Sequence, residues 1–263
     1  MTRFIHPLWG YELTIPADWV HTSHSGTEAF APPVDILAPG AISPGSAQLL
    51  VSAEWNWART EVEPLWERHL ALTAGMLGAR KVGSAPWHMS GAAGMEAEIL
   101  LPKREEKRLW AGILLHNFMV LKFVVVHPLK DRTWFEPLAT ETIKSLKFLN
   151  RVLGLEQTPE GLPLPPGYSP IPPRAVVPDI PDPARWRAFD GAASVGALQA
   201  FYLREAPVYN WELEEYAPFP GSDIGFARFR LRQAGKTIIV GLMPFADEDG
   251  AEGERGKLVV KLP

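Results

Sequence analysis

Ten of the 26 prolines in this 263-residue chain fall between residues 159 and 183. Proline holds φ at about −65° and offers no backbone N–H, so such a stretch builds neither a helix interior nor a central strand. The chain is therefore predicted to divide in three: a domain over residues 1–150, a Pro-rich linker over 151–185, and a small domain over 186–263. The linker is expected to be semi-extended and to lie along the first domain's surface. The first segment is long enough for a core of useful size. The last, at about 80 residues, approaches the size at which a domain is marginal alone.

Charge removes one class of function. The net charge is −4; residues 1–150 carry 14 Lys/Arg against 15 Asp/Glu, and residues 151–263 carry 12 against 15. Neither half has the basic excess that binding a phosphate backbone requires, so nucleic acid is not an expected partner. Cysteine is absent, which excludes disulfides and thiolate metal sites. The opening Met1-Thr2-Arg3-Phe4-Ile5-His6-Pro7 has no apolar signal region. The apolar run Val120 to Val126 is interrupted by Lys122 and is too short to span a bilayer. No integral membrane segment is expected. A cytoplasmic location is, with export left open if translation starts elsewhere.

Hydrophobic period places the elements. Tyr11, Leu13 and Ile15 alternate with Glu12 and Thr14, which predicts an opening hairpin over 4–15 with its turn at Trp9-Gly10. A Ser/His/Thr-rich loop is expected next, then a short strand at 28–31 and turn chemistry over 35–46. A strand is expected over 48–57. A helix is predicted from Thr60, as N-cap, to Leu77, with Glu63 at capping-box spacing and Gly78 at its end. Strands are expected over 80–87, 94–101, 108–116 and 118–127, with a turn near Asn117. A helix capped by Asp131 is expected to reach about Leu149, with Trp134, Phe135, Leu138, Thr142, Leu146 and Leu149 as its apolar face. After the linker the pattern reads as a helix over 192–204 and four strands, with a hairpin turn at Gln233-Ala234-Gly235-Lys236. The fold class is α+β: an antiparallel sheet with packed helices, then a helix-plus-four-strand unit.

The stretch Gly10-Tyr11-Glu12-Leu13-Thr14-Ile15-Pro16-Ala17-Asp18-Trp19, the helix near 62–77 with its strand series, and the closing Ser145-Leu146-Lys147-Phe148 carry a resemblance. Over the first 150 residues the chain resembles the Mog1/PsbP fold family. The resemblance implies binding or assembly, because members include a Ran-GTPase-binding protein, photosystem II extrinsic subunits and bacterial adaptor chaperones. It implies no catalytic residue set. The C-terminal part, through Val195-Gly196-Ala197-Leu198-Gln199-Ala200-Phe201-Tyr202 and Asn210-Trp211, is similar to a helix-plus-sheet module of uncharacterised bacterial envelope proteins.

Candidate sites are few. His21 and His24, with Glu28 and Asp35 downstream, have metal-like residue types but no helix to fix their spacing, so a solvated loop is the preferred reading. No serine sits in a nucleophile-elbow motif, and no Gly-rich phosphate loop is present. The acidic run Asp247-Glu248-Asp249-Gly250 misses the ligand positions of a calcium loop. Glu96 and Glu98 share a strand face, where two carboxylates can do acid–base work, but a solvent face alternating with core residues is the preferred reading. Eight of the ten tryptophans precede residue 135, more indoles than one small core accommodates. Some are expected to form a recognition surface, and Trp9, Trp55, Trp57 and Trp87 are the binding candidates, with Trp55 and Trp57 on one sheet face.

These readings converge on a non-enzymatic protein- or peptide-binding or assembly module, adaptor- or chaperone-like, with no catalytic residues, no metal and no cofactor. The alternative is a small-molecule-binding or hydrolytic protein with its site in the cleft between domains, drawing on His21, His24 and nearby carboxylates.

Overall fold

The computed structural model describes residues 1–33, 47–77, 80–101, 107–245 and 255–263. The chain forms two compact units, the first of Met1–Ile5 and Tyr11–Phe148, the second of His6–Gly10 and Leu149–Pro263. Both are α+β with antiparallel sheets.

In the first unit, β1 (Thr2–His6) and β2 (Tyr11–Ile15) form the expected hairpin. The expected loop after Trp19 is instead a strand, β3 (Val20–His24), which forms a second hairpin with β4 (Thr27–Ala31), the short strand expected at 28–31. Its turn residues, Ser25 at φ 47° and Gly26 at φ 73°, give a two-residue connection with both φ positive, the conformation whose twist matches paired strands. The turns expected over 35–46 and the helix end expected at Gly78 lie outside the described residues.

The main sheet is completed by β5 (Gln48–Trp55), β6 (Arg80–Met89), β7 (Ala92–Leu100), β8 (Lys107–His116) and β9 (Met119–Pro128). Its order is β3-β4-β5-β9-β8-β7-β6. Helix α1 (Val62–Leu77) starts later than the Thr60 cap predicts. The Asn56 side chain holds Thr60 instead, accepting from its N–H at 3.0 Å and donating to its carbonyl at 2.8 Å. Leu65, Trp66 and Leu70 of α1 pack on Ala97, Ile99, Ala111 and Ile113 of the sheet. Those residues have one parity along β7 and β8, so α1 covers one face and the opposite parity defines the other.

That second face receives α2 (Arg132–Lys144), which buries Phe135, Ala139 and Ile143. Phe135 stacks on Trp19 with centroids 5.1 Å apart. The helix stops at Lys144, short of Leu149. Ser145 accepts from the Thr14 N–H at 2.7 Å and donates to the Thr142 carbonyl at 2.6 Å, which turns the chain onto β2. Lys147–Phe148 then pairs with Tyr11 and Glu12 as β10. Leu146 and Leu149 continue the helical spacing without being helical.

In the second unit, the Pro-rich stretch is not a free linker. It supplies β11 (Ser169–Ile171) and buries Leu162, Leu164, Tyr168, Val176 and Ile180. Proline removes donors but leaves carbonyl acceptors. Here Trp211 Nε1 donates to the Gly161 carbonyl at 3.1 Å and Tyr202 donates to the Pro163 carbonyl at 3.2 Å. The remaining elements are β12 (Trp186–Asp190), α3 (Val195–Val208), β13 (Glu212–Ala217), β14 (Ala227–Gln233), β15 (Lys236–Phe245) and β16 (Arg255–Lys261). The sheet has six strands, not four, in the order β11-β12-β16-β15-β14-β13. The predicted turn at Ala234-Gly235 has φ of 47° and 76°. Gln199, fully buried on α3, accepts from Tyr216 at 2.7 Å and from the Phe219 N–H at 2.8 Å, and donates to the Phe219 carbonyl at 2.7 Å.

Residues 6–10 also belong to the second unit. Arg204 donates from Nη1 to the Leu8 carbonyl at 3.0 Å and from Nη2 to the Pro7 carbonyl at 2.5 Å. Its Nε meets Glu205 Oε1 at 2.6 Å. Gly10 has φ 70°, and a Cβ there would lie 2.1 Å from the guanidinium. Only a residue without a side chain fits both demands.

Candidate functional site

A cavity of about 340 Å³ lies in the first unit, between α2 and the sheet face opposite α1. Antiparallel register builds it. Glu96 of β7 pairs with Gly112 of β8, and Gly112 with Phe123 of β9. One step along, Glu98 pairs with Trp110, and Trp110 with Val125. Directly opposed residues share a face, so two rows of side chains run across the sheet beneath the helix.

Gly112 is the reason two indoles meet there. A Cβ on it would sit 2.7 Å from Trp110 and 2.8 Å from Trp87. With none, the rings of Trp87 and Trp110 converge edge to face, 5.4 Å apart at 86°. Trp87 also meets Phe123 edge to face at 5.6 Å. Both are arrangements that the ring quadrupole favours. Trp110 Nε1 donates to Glu96 Oε2 at 3.1 Å, which fixes the indole and the carboxylate together. Trp87 and Trp110 are both half-buried, so each keeps surface available to a ligand.

One end is closed by a polar group of a different kind. His127 is buried, with Nδ1 2.8 Å from the Pro128 carbonyl and Nε2 3.0 Å from Glu136 Oε1. Both neighbours are acceptors, so one ring proton satisfies one contact and two satisfy both. Arg132 donates from Nε to Glu136 Oε2 at 3.1 Å, one helical turn away. The α2 wall is completed by Thr140, Ile143 and Lys144, and Met89 and Leu109 contribute from the sheet.

The sequence-derived candidates separate. Trp87 lines the cavity. Trp9 is buried in the second unit, its N–H donating to His6 Nδ1 at 3.3 Å. Trp55 is half-buried against Phe118 with ring centroids 5.2 Å apart. Trp57 is 46% exposed and lies beyond the end of β5, so it does not share a strand face with Trp55 as expected. His21 lies on β3 rather than a loop and pairs with Glu28 of β4, which also accepts from Ser23 at 2.9 Å. His24 is exposed, and Asp35 lies outside the described residues. Among the described residues no group of three or more His, Asp or Glu side chains is placed to hold a metal. Ser84 accepts from Trp66 Nε1 at 3.0 Å, and Ser90 donates to the Leu146 carbonyl at 2.6 Å; both are structural contacts. Trp110, His127 and Glu136 are the site residues that sequence reasoning passed over. Glu96 and Glu98, read there as a solvent face, both border the cavity; Glu98 is exposed, as that reading expects, and Glu96 is half-buried.

Among the described residues no helix is long and apolar enough to cross a membrane. No protein-family profile matches the chain, and no curated protein matches it. Solved structures do. The chain is similar to the cyanobacterial PsbP of Synechocystis sp. PCC 6803, with 14% identity and a TM-score of 0.43 over 56% of this chain and 91% of that one. It is similar to LpqN, involved in cell envelope biogenesis of Mycobacterium tuberculosis, with 12% identity and a TM-score of 0.37 over 56% of this chain and 90% of that one. A protein from Bacteroides thetaiotaomicron VPI-5482 aligns over 92% of this chain and 86% of its own, with 11% identity and a TM-score of 0.37. The first of these is a PsbP-like α+β likeness, and a likeness of this kind concerns fold, not function.

Proposed function

We propose that the chain is a non-enzymatic binding module whose first unit seats a side chain of a peptide or protein partner in the cavity beneath α2. One observation carries this reading: two indoles, held edge to face over a glycine, line a cavity of about 340 Å³. That volume is at the small end of ligand pockets, the size of one side chain or a small molecule. Half-buried indoles fixed by their neighbours offer large contact area with little conformational entropy left to lose. Partner-facing aromatics of this kind dominate binding energetics where they occur.

The test is ligand-observed NMR on the full chain with a set of capped single amino acids as probes. Trp110→Leu removes half of the indole pair, and Thr140→Trp fills the cavity from its exposed helix wall. Binding to the wild type that both variants lose supports the reading. Binding that survives both, with the fold intact by circular dichroism, would place the function elsewhere.

A further inference from the structure

We infer that the cavity selects a cation on an apolar stem: a primary ammonium or a guanidinium carried by an alkyl or aryl chain. The inference rests on the binding reading above and narrows it to one chemistry. Indole faces carry negative quadrupole density, and they attract a cation seated over them more strongly than other aromatic rings do. Here two indoles meet edge to face, and both line the cavity. Glu96 and Glu98 stand two residues apart on the adjoining strand with their side chains on the same face. Glu96 is already oriented by the Trp110 N–H, so one anchor point for a cation is preorganised against the ring that would cover it.

Two of the cationic groups nearby are already paired. His127 and Arg132 are both engaged by Glu136. Lys144 lines the cavity from the exposed surface of α2, across from the strands that hold the carboxylates. An anion entering the cavity would face the half-buried Glu96 carboxylate, with the exposed Glu98 beside it on the same strand face. A cation with an apolar stem would meet complementary charge at its head and Val125, Ile143 and Met89 along its body.

The closing experiment titrates the full chain with three probes on one phenethyl stem: phenethylamine, protonated at pH 7; the neutral alcohol 2-phenylethanol; and the anion 3-phenylpropionate. Nα-acetyl-lysine methylamide stands for the same cation within a peptide. Dissociation constants are read by tryptophan fluorescence and by saturation-transfer NMR. The expected result is an amine that binds about tenfold tighter than the alcohol, and a carboxylate that binds weakest. The Glu96→Gln/Glu98→Gln double variant keeps an acceptor for Trp110 while removing both charges. It should bring amine and alcohol to within about twofold, leaving the alcohol's affinity unchanged. Lys144→Met should leave the amine's affinity equal or higher. If amine and alcohol bind alike in the wild type, and Thr140→Trp blocks both, the cation selection is overturned while the cavity remains a binding site. If the carboxylate binds best and Lys144→Met abolishes it, the site selects anions and the inference is wrong. If no probe binds, or Thr140→Trp changes nothing, the binding reading itself fails. Tighter binding of the lysine amide than of phenethylamine would assign a peptide source, and the reverse a free amine.

Discussion

His69 shows how one buried side chain writes a pH dependence into the fold. It sits on α1 beside Trp66, buried, with no hydrogen-bond partner for Nε2 among the described residues. Burial pushes its pKa down from 6.5 to about 4, the Lys122 ammonium acts in the same direction, and Glu54 opposes it. Below pH 6.5 the unfolded chain takes up a proton here that the native chain refuses until about pH 4. Stability from this group is therefore complete above pH 6.5 and falls as the pH drops through that window. The full difference is on the order of 3 kcal/mol. Urea midpoints at pH 7 and pH 4.5 test it, and His69→Leu should flatten the difference; a variant as acid-sensitive as the wild type would refute the assignment. The candidate site was half legible at this scale. Trp87 stood out as an aromatic in a strand, and Glu96 and Glu98 as a pair of like parity. What joins them is Gly112, a residue that reads as a weak point in a strand. Its purpose appears only when register sets it between two indoles.

Elements were more legible than their ends. Period-2 alternation and Asn or Gly at the turns located most strands of the main sheet. Of the β3–β4 hairpin only β4 was read; β3 escaped because Val20 to His24 is an edge strand of polar residues with no alternation to read. Helix caps separate sequence signal from structure. Ser194 caps α3 by accepting from the Ala197 N–H at 3.1 Å. Asp131 has the same residue chemistry at the start of α2 but makes no such bond, and its Oδ1 accepts from Trp134 Nε1 at 3.2 Å. Ser194→Ala should therefore cost about 1 kcal/mol, within the usual range for a lost cap. Asp131→Ala should cost less, retaining only the weaker charge–dipole effect. Native-state hydrogen exchange of the α2 and α3 amides reads each helix separately. Equal losses of protection in the two variants would contradict the cap assignment.

At the scale of the whole molecule the proline count was informative about composition and misleading about packing. Prolines 159 to 183 remove donors, as read, but carbonyls of the stretch remain, Pro163 accepting from Tyr202 and Gly161 from Trp211, so the stretch joins a core. Nor was it legible that the second unit draws on residues 6–10, because nothing in Pro7-Leu8-Trp9-Gly10 names Arg204 as a partner 196 residues away. A fragment of residues 149–263 is expected to fold with less protection of α3 than the full chain. Its Arg204 loses the Pro7 and Leu8 carbonyls, and the Leu149 N–H loses the Gly10 carbonyl it meets at 2.8 Å. Thermal unfolding and hydrogen exchange of residues 195–208 in fragment and full chain measure this. Identical protection would show the turn to be dispensable.

The same turn has a consequence for how the chain is made and divided. Residues 6–10 leave the ribosome some two hundred codons before the arginine that clasps their carbonyls. The second unit therefore closes late, on a segment that has waited through translation of the first. No single cut in the chain separates the two units, because residues 6–10 of the second fall within the span of the first.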